Sequence, residues 1–141
     1  FANDYLNTGK IGEFYGHGMP EEIAVDAAFL ELGQEKFGIY CSICHGESGN
    51  GAGVISQYGL LPTRLIPAPV ADPAQRPDGN LHDLLCNGTV LMGGQGANLT
   101  LRDRWAIVAY VRTLQQRKSM PAPEVQKAFD DAQGEAKPAA E

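Results

Sequence analysis

The stretch Leu32-Gly33-Gln34-Glu35-Lys36-Phe37-Gly38-Ile39-Tyr40-Cys41-Ser42-Ile43-Cys44-His45 joins two patterns. Its first part continues a helical period, with Val25, Ala28, Phe29, Leu32, Phe37 and Tyr40 recurring every three to five residues across Gly33 and Gly38. Its last five residues form C-x-x-C-H. On a helical turn, residues three apart face the same side, so the two thiols point one way with an imidazole directly after them. With the three cysteines and three histidines of this chain, such a pentapeptide arises by chance on the order of once in a thousand sequences.

C-x-x-C-H is the signature of c-type haem attachment, in which Cys41 and Cys44 add across the two vinyl groups and His45 ligates the iron. Two other chemistries use paired cysteines. A redox dithiol sits in a βαβ context, which the surrounding glycine loop and helical segments do not supply. A zinc site needs further ligands at metal spacing, whereas Cys86, His17 and His82 are scattered singly.

Outward from the motif, the helical pattern begins at Ile23 and closes near Cys41. Residues 1–22, broken by Gly16, Gly18 and Pro20, show no sustained period and read as an irregular arm. Downstream, the glycines between Gly46 and Gly53 demand a tight loop, followed by a short helix over Val54–Tyr58. Pro62, Pro67, Pro69, Pro73 and Pro77 exclude a continuous helix over residues 61–78 and leave an extended cover. Leu81, Leu84 and Leu85 then predict a short amphipathic helix stopped by Asn87-Gly88. Thr100, with Asp103 three residues on, has the form of a helix start, and Leu101, Trp105, Val108, Val111 and Leu114 follow on one stripe. This divides the chain into an arm (1–22), a central domain (23–118) and a tail or accessory helix (119–141).

The sixth iron position decides what such a site does: a thioether fills it and raises the potential, whereas an open position admits substrates. Of the three methionines, Met19 lies in the arm and Met120 beyond the last helix, while Met92 stands in a loop with Gly88, Gly93 and Gly94. Glycines there let the backbone approach a porphyrin face, so Met92 is the expected ligand. His17 and His82 are the remaining candidates, and His82 reads as a surface histidine. Cys86, left over from the motif, reads as a packed small residue.

A net charge of -6 over 141 residues disfavours nucleic acid and anionic membranes as partners and favours a basic protein patch. The longest apolar run, residues 105–111, falls well short of the roughly 18 residues of a spanning helix. The chain opens at Phe1 without a basic leader and apolar core, the form of a chain from which an export signal has been removed.

Together, the helix before the motif, the glycine loop, the methionine loop and the Trp105-to-Tyr110 helix resemble a class I cytochrome c over residues 29–117. The resemblance implies an all-α fold in which the N- and C-terminal helices cross and loops enclose the haem. It places Gly33 and Phe37 on one side of that crossing and Trp105, Tyr110 and Leu114 on the other. It also implies a proline carbonyl receiving the N–H of the proximal histidine ring, for which Pro62 is the candidate. Residues 32–41 and 103–115 are further similar to the monohaem cytochrome subunit of bacterial alternative complex III, a quinol-oxidising membrane complex. Gly88 matches that subunit's pattern, while Gly93 stands where a proline usually follows the ligand. This implies a non-enzymatic electron carrier at the periplasmic face, exchanging electrons with other subunits and with a terminal oxidase or soluble cytochrome. An N-terminal lipid anchor would need a piece outside this chain. A peroxidase-like enzyme with an open sixth site, a free-standing periplasmic carrier and a gas-binding four-helix cytochrome are the alternatives. The last would put C-x-x-C-H near its C-terminus.

Overall fold

Asp26, in extended conformation, accepts the Phe29 N–H at 2.8 Å and thereby starts the first helix of the central domain, α2 (Ala27–Tyr40). The cap places the start four residues later than Ile23, and Val25 stays outside, exposed. The structure, a computed structural model, describes residues 2–59, 65 and 76–119. Its elements in chain order are α1 (Ala2–Thr8), β1 (Lys10–Ile11), β2 (Phe14–Tyr15), α2, α3 (Ser42–His45), a 3-10 turn (Val54–Tyr58), α4 (Asp78–Asn87) and α5 (Leu101–Ser119). The architecture is helical, and strand among the described residues is confined to the β1–β2 hairpin.

The start of α5 is the reciprocal cap read from sequence: Thr100 Oγ1 accepts the Asp103 N–H at 3.1 Å, and Asp103 accepts the Thr100 N–H at 3.0 Å. Helix α2 crosses α5 in the largest helix-to-helix seam. At the crossing Gly33 lies so close to Ala106 that a Cβ would overlap the Ala106 carbonyl oxygen. Phe37 packs on Tyr110 with ring centroids 5.4 Å apart, and Arg102 covers the Phe29 ring. The expected stripe on α5 proves wider: from Trp105 to Val111 every residue is buried. The reason is that α4 and the arm cover the side of α5 that α2 leaves open.

The arm departs from the irregular expectation. It folds into α1 and the β1–β2 hairpin, with Lys10 opposite Tyr15 and Ile11 opposite Phe14. It is then sewn to α4: Tyr15 Oη donates to Asp83 at 2.8 Å, the Gly18 N–H to Asp78 at 2.7 Å, and the Gly79 N–H to the Gly16 carbonyl at 3.0 Å. Asp78 also receives Arg112 Nε of α5 at 2.6 Å, so one carboxylate ties arm, α4 and α5 together. The tail beyond Ser119 and most of the proline-rich cover lie outside the described residues. No helix among the described residues is long and apolar enough to cross a membrane.

Candidate haem site

Helix α2 delivers the motif at its own end. Cys41 caps α2 through its N–H to the Phe37 carbonyl at 2.9 Å, and its carbonyl accepts the N–H groups of Cys44 at 3.2 Å and His45 at 2.9 Å. That turn brings Cys41, Cys44 and His45 together, with both cysteines as free thiols. Gly46 ends it at φ 80°, a left-handed conformation that side chains resist, and the Gly51 N–H returns to the His45 carbonyl at 2.8 Å. Gly53 then passes so close beneath α3 that a Cβ would overlap the Ile43 carbonyl oxygen. The glycines of this loop hold the turn from below.

Cys41 is buried, and desolvation, with Cys44 beside it as the smaller contribution, pushes its thiol up to about 12. A dithiol built for exchange has the opposite character, a depressed thiol in an electropositive setting. Among the described residues no group of three or more His, Cys, Asp or Glu side chains could hold a metal ion. The donor set fits a haem: two thiols three residues apart on one turn, an imidazole directly after them, and apolar packing around Cys41.

Met92 is half-buried and packs against the same hydrophobic cluster to which Cys41 and Leu85 belong. Its loop is a narrow turn, bridged between Gly88 and Gly93, with the Thr89 N–H on the Met92 carbonyl at 2.7 Å. The loop's return is fixed to the end of α4, where the Gln95 N–H meets the Leu85 carbonyl at 2.8 Å and the Gly96 N–H meets that of Cys86 at 3.1 Å. Val90 and Leu91, at the tip, are fully exposed, because the bridge turns them away from the core. Pro62 and Met120 lie outside the described residues. Met19 is half-buried within the arm, and His17 is exposed.

His82 corrects the sequence reading most sharply. It is fully buried, stacked on Trp105 at 4.3 Å between centroids and 18° between planes. Desolvation, with the Arg104 charge adding to it and Asp83 opposing, brings its pKa down to about 4, so it is a neutral imidazole. It packs on the side of α5 that the arm covers: Trp105 Nε1 donates to the Leu6 carbonyl at 2.8 Å, and Tyr5 meets the Trp105 ring at 5.4 Å. The signal available in sequence was the four-residue spacing of His82 from Cys86, which puts both on one face of α4.

The family described as cytochrome c oxidase, cbb3-type, subunit III has a model that matches residues 28–111. The chain belongs to that family. The matched residues run from the second residue of α2 through the motif and α4 to the buried centre of α5. Members carry a c-type cytochrome domain, so the cbb3-type subunit III match establishes haem-based electron transfer as the general role and supports the class I helical fold. The arm lies outside the match. No curated protein matches the chain.

Proposed function

We propose that this chain holds one haem c, joined to Cys41 and Cys44 by thioether bonds and ligated by His45 and Met92. We further propose that it works as a one-electron carrier in a bacterial respiratory complex, with quinol-oxidising alternative complex III as the favoured assembly. The observation that carries the reading is the C-x-x-C-H turn at the end of α2, two thiols and an imidazole gathered on one turn. When bound, the haem supplies a ferric/ferrous couple.

The chain's own residues set how that couple is used. The Cys41 and Cys44 sulfurs would hold the haem covalently, which would remove most of the entropy of retaining it. His45 and Met92 would hold the iron between an imidazole and a thioether, which would leave no site for a substrate, and the thioether would favour the ferrous state. Leu85 and Leu65 supply apolar surroundings that do the same. The Pro62 carbonyl is the proposed acceptor for the His45 ring N–H. With a net charge of -6, docking onto basic patches of partner subunits or of an acceptor cytochrome is steered electrostatically and small in area. The site is periplasmic in this reading.

A second assembly has a specific observation in its favour, the family's own description as an oxidase subunit. Two measurements test the whole. The pyridine haemochrome of the purified holoprotein should be that of a haem with both vinyl groups saturated, and its ferric spectrum should carry the red-end sulfur-to-iron charge-transfer band. Met92→Ala should abolish that band; survival of the band removes Met92 from the site, and high-spin ferric features in the unaltered protein favour the peroxidase-like alternative. Native co-purification then separates the assemblies: quinol-oxidising subunits support alternative complex III, haem–copper oxidase subunits the family's named complex, and no partner the free carrier.

A further inference from the structure

The loop that follows the motif hangs on the backbone of His45. The Gly51 N–H donates to the His45 carbonyl at 2.8 Å and the Gly49 N–H to that of Gly46 at 3.1 Å, with Gly46, Gly49 and Gly51 all at positive φ. Glu47, Ser48 and Asn50 are exposed, so the loop packs no large side chain of its own and keeps one shape only where something outside it takes hold. Leu65 does so: its N–H donates to the carbonyl of the buried Gly49 at 2.8 Å, and its side chain packs on the core cluster. The Leu65 carbonyl in turn accepts from Gln115 Nε2 of α5 at 3.4 Å, a long bond whose direction is set at the other end of the same amide. There Arg112 Nη1 donates to Gln115 Oε1 at 3.0 Å, which leaves the amide nitrogen facing Leu65. Arg112 is itself held by Asp78 at 2.6 Å and by the Arg76 carbonyl.

We infer that Gln115 is a positioning residue for His45: oriented by Arg112, it fixes Leu65, and through Leu65 the loop whose backbone ends on the His45 carbonyl. The inference rests on the proposed ligation of the haem iron by His45. From Gly18 of the arm to Gly49 of the loop the hydrogen bonds are continuous, through Asp78, Arg112, Gln115 and Leu65. The carboxylate that secures the arm therefore bears on the ligand loop as well, on the far side of α5. Gln115 needs no contact with the haem to act in this way. A glutamine that merely steadied the end of α5 would change stability and leave the ligand where it was.

The experiment uses the haem-loaded full chain and two NMR readouts: amide exchange at Leu65 and Gly51, and the ferric haem methyl shifts, whose pattern follows the orientation of the axial imidazole. Gln115→Glu keeps an acceptor for Arg112 and loses the N–H for Leu65; Gln115→Met loses both without adding charge. Each should speed exchange at Leu65 and Gly51 about fivefold and alter the methyl pattern. Thr100→Ala, which weakens α5 at its other end, should leave both readouts as they are. Unchanged exchange in both Gln115 variants overturns the inference, and so does faster exchange with an unaltered methyl pattern. If neither variant folds, the unaltered holoprotein decides: a Leu65 amide that exchanges like an unprotected peptide overturns the inference, and one slowed by about tenfold or more supports it. Failure of the haem reading shows separately, as an unaltered chain that carries no covalent haem, and it removes the inference with it.

Discussion

Helix α5 is held by two seams that use the same device and differ in how they are built. On one side α2 crosses it with Gly33 against the Ala106 backbone; on the other the arm meets α4 with Gly9 and Gly79 pressed together, a Cβ on either overlapping the other's carbonyl oxygen. The first seam is lined by Phe29, Phe37, Tyr110 and Ala106, all buried, and its energy is apolar area and ring packing. The second is polar: Asp78 bonded to Gly18 and Arg112, Tyr15 to Asp83, Trp105 to Leu6, with His82 sealed inside. Close backbone contact thus serves a core in one place and a clasp in the other. Desolvation and the neighbouring Asp78 charge raise the Tyr5 hydroxyl to about 12.

The comparison breaks first at Gly33. Gly33→Ala drives a methyl group into a backbone carbonyl that cannot rotate away, and the better helix propensity of Ala recovers only part of the loss. We expect about 3 kcal/mol of destabilisation in denaturant unfolding of the holoprotein, with weakened haem retention. A loss under about 1 kcal/mol would mean that the α2–α5 distance is set elsewhere.

His82 sharpens the second seam through pH. Its folded pKa of about 4 lies below the 6.5 of a free imidazole. Between those values the unfolded chain binds a proton that the folded chain refuses, so stability falls as pH drops through the window and this contribution levels off below it. At pH 5 the loss attributable to His82 is about 2 kcal/mol relative to pH 7. His82→Phe should remove that slope while keeping the stack on Trp105. If the pH dependence of the two proteins coincides, His82 is solvated in solution.

Gly79→Ala is expected to cost less than Gly33→Ala, about 1.5 kcal/mol, because the arm can lift without opening the α2–α5 core. The readout that distinguishes the seams is local. Amide exchange or limited proteolysis should report loosening of residues 4–18 and of α4, with α2 protected. Equal loosening of α2 would show that both seams open as one unit.

The two seams also differ in how far the sequence revealed them. Gly33 interrupts a helical period between Leu32 and Phe37, and the likeness to class I cytochromes placed it at a crossing. The C-x-x-C-H spacing likewise made Cys41, Cys44 and His45 legible, since one turn of helix is all the geometry they need. Gly9 and Gly79 stand far apart in segments without periodicity, and nothing local marks them as partners. His82 was misread because a histidine on a short helix is ordinarily solvated; only the arm, whose helix and hairpin are too short to leave a period, buries it.

The smallest effect tests whether α5 depends on its own start or on the seams. The Thr100–Asp103 box satisfies two N–H groups that the helix itself leaves without partners. Thr100→Ala removes one of those bonds and should cost about 1 kcal/mol, the usual worth of such a cap. Asp103 is buried, so its carboxylate keeps the Thr100 backbone N–H and the variant does not strand it. Because α2 and the arm already hold α5 from both sides, the loss should appear as faster exchange in the first turn of α5 and a small shift of the unfolding midpoint, with the haem spectrum unchanged. In a double variant with Gly79→Ala the two losses should add, since cap and clasp share no partner. A combined loss well beyond the sum would instead mean that the arm seam reaches the N-terminus of α5, and that the two sides of this helix are less independent than their chemistry suggests.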